Sequence, residues 1–146
     1  PVVFSCHPRT RKRISQFNII FGEKVKLAKP FAFSDYIKLQ ESAAVVLSDS
    51  GTITEEASIL NFKALNIRQA HERPEGMEEG AVMMVDLNVA EVSAAMSILD
   101  TQGSDKDART IEIVRNYQTT NVSEKVVRII LSYTGFVRRV NWRDYS

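Results

Sequence analysis

Short apolar runs alternate in this chain with stretches whose apolar residues recur at three- and four-residue spacing, and no Asn-Gly or Asp-Gly pair joins one run to the next. Strands without tight hairpins must be joined through crossover helices, which return the chain to the same end of the sheet and make the strands parallel. The pattern predicts an open parallel sheet flanked by helices, the Rossmann-like, doubly wound α/β class.

The expected strands are Val2–Cys6, Val25–Leu27, Ala43–Leu47, Ala64–Ile67 and Ala81–Val85. Ala43–Leu47 is apolar without alternation, which suits a central strand covered on both faces. Pro8–Phe17 reads as a basic helix with Ile14 and Phe17 on one face, and Ser34 offers an N-cap to a second helix bearing Ile37 and Leu39. A third, Thr52–Leu60, places Ile53, Ala57 and Leu60 on one side. Glu72 to Gly76 is a polar loop, and 101–108 an exposed connection. Asn88 with Glu91, and Asn121 with Glu124, have capping-box spacing. The final helix, about 121–143, repeats apolar residues at Val126, Ile130, Tyr133, Val137 and Val140, so it must lie along a surface rather than stand free.

At 146 residues, with 44% hydrophobic and 25% charged composition, the chain can bury one core, and one domain is expected. Nineteen Lys and Arg against eighteen Asp and Glu create no global field, so neither nucleic acid nor a membrane is an expected partner. No apolar stretch approaches the about 20 residues of a membrane helix, and the start lacks the pattern of a signal peptide, which reads as a cytoplasmic protein. The lone cysteine, Cys6, can form neither an internal disulfide nor a zinc cluster. Pro1 leads straight into Val2, Val3 and Phe4, a β-prone run without an initiator methionine, as expected of a strand cut from a longer protein.

In doubly wound sheets ligands lie beyond the carboxyl ends of the strands, so the loops after Cys6, Leu47 and Ile67 should converge on one crevice. Ser48-Asp49-Ser50-Gly51-Thr52, between a strand and a helix, is small enough for backbone amides to approach a phosphate with the helix dipole behind them. Equally, Ser50 or Thr52 can simply cap orphan amides. The segment is neither a P-loop nor a dinucleotide fingerprint. Glu55 and Glu56 fall in the first helical turn, where one carboxylate can accept from a ribose diol. His7, at a strand's carboxyl end, can meet a diphosphate as donor or proton-transfer group, or merely cap the next helix. The run Arg9 to Arg13 is a solvated face, with Arg9 the exception that can reach a ligand. Arg73 has a fork suited to phosphate or sugar hydroxyls but sits among acids that can pair with it, and Tyr36 can stack on a base or fill the core. His71 has no partner at metal-ligand spacing, and no serine sits in a nucleophile elbow, so neither a metal nor a covalent nucleophile is expected.

Taken in order, Cys6-His7-Pro8-Arg9, Ser48-Asp49-Ser50-Gly51 with Glu55-Glu56-Ala57, and Glu72-Arg73-Pro74-Glu75 resemble the C-terminal half of the non-hydrolysing UDP-N-acetylglucosamine 2-epimerase family. The resemblance is strong to about Val85 and looser through the final helix. It implies a two-domain glycosyltransferase-B-like fold in which residues 1–146 are the UDP-binding C-terminal domain. The final helix would cross toward an N-terminal domain of the same protein that lies outside this sequence, and the full-length enzyme would be a homodimer. By the same resemblance Ser50 and Gly51 bind the diphosphate, Glu56 the ribose hydroxyls and Tyr36 the uracil region, while His7 lies near the diphosphate and Arg73 in the substrate site. The implied reaction removes the C2 proton as UDP leaves, then restores both with C2 inverted, and needs no metal or nicotinamide cofactor. Carboxylates of the other domain would handle that proton.

The common family pattern has His-Arg-Arg-Glu where this chain has His7-Pro8-Arg9-Thr10, and often a second glycine where it has Thr52. Val2 to Arg13 looks most like the branch that interconverts UDP-N-acetyl-L-talosamine (pneumosamine) and UDP-N-acetyl-L-fucosamine for capsule or O-antigen. Two rival expectations use the same residues: the nucleotide-sugar-binding half of a glycosyltransferase, and a non-catalytic anion-binding module.

Overall fold

The computed structural model describes residues 1–70, 72–102 and 109–143. In chain order the elements are β1 (Val2–Ser5), α1 (Pro8–Gln16), β2 (Val25–Ala28), α2 (Phe33–Ser42), β3 (Val46–Ser48), α3 (Ile53–Leu60), β4 (Ala64–Ile67), α4 (Pro74–Glu78), β5 (Met83–Val85), α5 (Val89–Thr101), a 3-10 turn at Arg115–Gln118 and α6 (Val122–Val140). Among the described residues every strand pairing is parallel, in keeping with the absence of hairpin signals. β1 pairs with β2, Val2 opposite Val25, and a second sheet runs β3-β4-β5 with Val46 opposite Ala64 and Leu65 opposite Met83.

β4 is the buried strand. Ala64 joins Ile53 and Ala57 of α3 on one face, and Leu65 joins Val85 and the α5 residues Ala95 and Leu99 on the other. Alternate side chains of one strand thereby bind two layers of helix. Behind α3, Arg109 donates through both guanidinium ends to the carbonyls of Ser58 and Ile59, each at 2.7 Å. Ser58 Oγ accepts from the amide of buried Val114 at 3.0 Å. Carbonyls that end a helix otherwise lack partners, so this strap fixes where α3 lies and hence where its amino end points.

Several sequence expectations are corrected. β3 begins at Val46 rather than Ala43 and is an edge of its sheet; Leu47 is 43% exposed. An uninterrupted apolar run does not distinguish a doubly covered strand from a half-covered one. α2 is capped two residues earlier than Ser34, at Ala32, whose side chain makes no cap bond; Asp35 supplies first-turn charge instead. The stretch expected to be loop contains α4, a short helix with Pro74 at its first position. Asn88 caps α5 by accepting from the Ala90 amide at 2.9 Å, but Glu91 turns to the Asp86 amide, so the reciprocal box does not close. Asn121 makes no side-chain cap bond at α6. That helix ends at Val140 and buries none of its residues; Ile130 and Tyr133 are more than half exposed, so the surface expected under it is not supplied by the described residues. The expectations for His71 and most of 101–108 fall outside the described residues.

Candidate functional site

The carboxyl ends of β3 and β4 bring together residues from four segments. Ser48 ends β3, and its hydroxyl accepts the Ser50 amide at 3.1 Å, folding the chain into a tight corner. Ser50 and Thr52 hydroxyls lie 3.0 Å apart, and Ser50 Oγ accepts weakly from the Thr52 amide at 3.4 Å. Thr52, at the N-cap of α3, makes no cap bond with its side chain. Its hydroxyl instead donates to Glu56 Oε1 at 2.8 Å. The capping reading therefore holds only for Ser50, and the first-turn amides of α3 keep the anion-attracting character of a helix start.

The two adjacent carboxylates divide. Glu55 Oε1 accepts from Arg73 Nε at 2.6 Å in a part-buried ion pair. Glu56 Oε2 accepts from Gln40 Nε2 at 2.6 Å. With Thr52 on its other oxygen, Glu56 has used two of about four lone-pair sites, which leaves an acceptor on each oxygen for a diol. Tyr36 lies one turn before Gln40 on α2. Its hydroxyl is held above the usual phenol range by burial first and by the nearby Glu56 charge second, while hydrogen bonds with Ser48 and Gln40 act the other way.

Gly51 faces the loop after β4. A Cβ there would stand 3.1 Å from Glu72 Oε2 and 3.8 Å from both Arg68 Nη1 and Arg73 Nη2. Arg68 donates to Glu72 at 2.6 Å, and that hydrogen bond holds the exposed Glu72 carboxyl below the usual carboxylate range. Arg73 Nη1 also reaches the Glu72 carbonyl at 3.2 Å. The corner is thus flanked by two guanidiniums, Arg73 and Arg68. Arg68 was not singled out from the sequence, where it reads as an ordinary polar residue after a strand. Neither was Gln40, a polar residue in a polar-looking helix that proves 2% exposed.

The loops after β3 and β4 converge as expected, joining Tyr36, Ser50, Gly51, Glu56 and Arg73. The loop after β1 contributes differently. His7 is the N-cap of α1, with Nδ1 accepting from the Arg9 amide at 3.2 Å. Both residues are exposed, and no described contact links either to the corner.

The parallel β-α order and the corner after β3 define a doubly wound domain of the glycosyltransferase-B-like class, the fold also of the solved structures that it matches. The chain belongs to the UDP-N-acetylglucosamine 2-epimerase family, whose model matches residues 1–131. A solved structure of UDP-N-acetylglucosamine 2-epimerase from Rickettsia bellii is 45% identical, with a TM-score of 0.78, and the match covers 96% of this chain and 38% of that one. The Methanocaldococcus jannaschii UDP-GlcNAc 2-epimerase in complex with UDP-GlcNAc and UDP is 30% identical with a TM-score of 0.74, over 89% of this chain and 35% of that one. Among curated proteins, the UDP-N-acetylglucosamine 2-epimerase of Methanocaldococcus jannaschii is 35% identical over 102 residues, 67% of this chain and 28% of the relative. The chain thus spans about a third of the length of these relatives. No helix among the described residues is long and apolar enough to cross a membrane.

Proposed function

We propose that this chain is the UDP-binding C-terminal half of a two-domain UDP-sugar 2-epimerase, cytoplasmic and homodimeric when joined to its N-terminal domain. The observation that carries this reading is the corner at Gly51, where helix amides and two guanidiniums stand beside a carboxylate with acceptors to spare. The complex of the Methanocaldococcus relative with UDP-GlcNAc and UDP supports it.

In this reading Ser50 and Gly51 hold the diphosphate, Glu56 the ribose, Tyr36 the uracil region, and Arg9 reaches the substrate from α1. The C2–H and C1–O bonds of a UDP-N-acetylhexosamine break, giving UDP and a glycal-like intermediate; the proton then returns to the opposite face of C2 and a phosphate oxygen re-forms the bond to C1. Carboxylates of the N-terminal domain move that proton. The part of this chain is to stabilise the departing UDP, whose negative charge grows as the C1–O bond stretches. Amides of α3 and Arg73 stabilise that charge from the corner, His7 of the loop after β1 is assigned a donor role to the same diphosphate, and Arg68 exchanges Glu72 for phosphate. The substrate favoured by the Val2–Arg13 segment is the talosamine/fucosamine pair, for capsule or O-antigen.

The full-length protein, incubated with UDP-sugar in deuterated water, should incorporate deuterium at C2 without an acceptor. Transfer that depends on an acceptor and proceeds without exchange would instead make the chain half of a glycosyltransferase. Calorimetry tests the division of the ligand: Glu56→Ala should weaken UDP about tenfold or more, the worth of a hydrogen bond to a charged group, and spare inorganic pyrophosphate, which has no ribose. Equal losses would refute the ribose role, and equal binding of UDP and pyrophosphate by the unaltered chain would favour a plain anion module.

A further inference from the structure

Gln40 is buried at 2% exposure on a helix that is otherwise partly or fully exposed. Nε2 donates to Glu56 Oε2 at 2.6 Å, while Oε1 is buried with no hydrogen-bond partner among the described residues. An orphaned buried acceptor is costly, and a leucine or methionine would fill similar volume without one. The amide cannot escape by turning over, because that would press Oε1 against the Glu56 carboxylate, acceptor on acceptor. Its orientation is therefore dictated by Glu56. Gln40 also stands one helical turn from Tyr36, whose hydroxyl interacts with it. One amide so couples the aromatic ring and the carboxylate that the reading above assigns to the two ends of a nucleoside.

We propose that Gln40 is a positioning residue that fixes the Glu56 carboxylate for a ribose cis-diol, so that preference for a ribonucleotide over other diphosphates depends on it. The inference rests on the nucleotide reading of the site and adds the group that sets its selectivity. Without the Gln40 bond, the carboxylate keeps Thr52 on one oxygen only and rotates about its terminal torsion, so the two free acceptors no longer meet both hydroxyls together.

The test titrates the chain with UDP, 2′-deoxy-UDP and inorganic pyrophosphate by NMR, which reads weak binding. The unaltered chain should favour UDP over 2′-deoxy-UDP by about tenfold, one hydrogen bond to a charged group. Gln40→Met should reduce that ratio to within about twofold while pyrophosphate affinity stays within about twofold, an internal check that the corner still folds. Gln40→Glu adds a pH readout. Its carboxyl would face Glu56 on α3 and stand one turn from Tyr36 on its own helix, whose hydroxyl also feels the charge of Asp49 in the corner loop. Two like charges at that distance raise the apparent pKa of the pair, so the ratio should be lost at high pH and regained as the pair takes up one shared proton and the donor is restored. Protonation of the ligands cancels, since both nucleotides carry the same diphosphate. If the unaltered chain does not discriminate, the ribose role of Glu56 fails and the proposal with it. If it discriminates and Gln40→Met does so equally, the Gln40 inference alone is overturned; loss of pyrophosphate binding in Gln40→Met also overturns it, reducing Gln40 to a fold residue.

Discussion

Gly76→Ala should destabilise the chain by about 2–3 kcal/mol in urea unfolding, although alanine is the better helix former. The added Cβ would lie 2.1 Å from Thr54 Cγ2, where carbon atoms in contact prefer about 3.5–4.0 Å. Thr54 has little room to yield: it is fully buried in α3, so its methyl can swing away only into close-packed surroundings. The helix-propensity gain of about 1 kcal/mol from replacing glycine therefore loses to the clash. Relief requires α4 to back away from α3 by more than an ångström. Arg73 is the N-cap of α4 and holds Glu55, so that movement also pulls the guanidinium from the corner. Removing the offending methyl with Thr54→Ser should recover most of the loss, since Tyr117 Oη and Thr54 Cβ would then stand 3.4 and 3.5 Å away. A double-mutant cycle without coupling would show that the approach of the two helices is looser than this.

The same pair of helices shows what the sequence could disclose. α3 and β4 are legible because each obeys one local rule: a small-residue turn followed by apolar residues at helical spacing, and four residues of buried strand bounded by polar ones. The corner was legible for the same reason, since glycine and serine between a strand and a helix serve few purposes. α4 was hidden because five residues are too short for any period, and only Pro74 before Glu75 hinted at a helix start. The rank of β3 was hidden because apolar content reports burial propensity, while position in a sheet is set by distant pairing with Ala64 to Asn66. Gln40 and Arg68 escaped for a related reason. A glutamine or arginine owes its role to the partner it meets, Glu56 sixteen residues on for one and the face of Gly51 for the other, and neither encounter leaves a local trace. The apolar stripe of α6 was legible as a stripe, but nothing in its period names what covers it.

His7 caps α1 and is also proposed to serve the diphosphate, two roles that one substitution confounds and two substitutions separate. Its Nδ1 accepts the Arg9 amide at 3.2 Å, so that nitrogen is unprotonated and, in the neutral ring, Nε2 holds the proton and is left as a donor. His7→Ala removes both functions, and loss of an N-cap should cost about 1 kcal/mol in unfolding. His7→Asn keeps the cap, because asparagine is among the best residues at that position, but its short side chain cannot carry a donor to where imidazole Nε2 stands. In the full-length enzyme both variants should lose about 100-fold or more in UDP-sugar turnover, the worth of a donor to a departing anion, while only the alanine variant loses stability. Deuterium exchange at C2 and urea unfolding, measured side by side, read the two roles apart. A His7→Asn enzyme that turns over at the unaltered rate would leave His7 as the cap of α1 and pass the stabilisation of the departing diphosphate to the α3 amides and their flanking arginines.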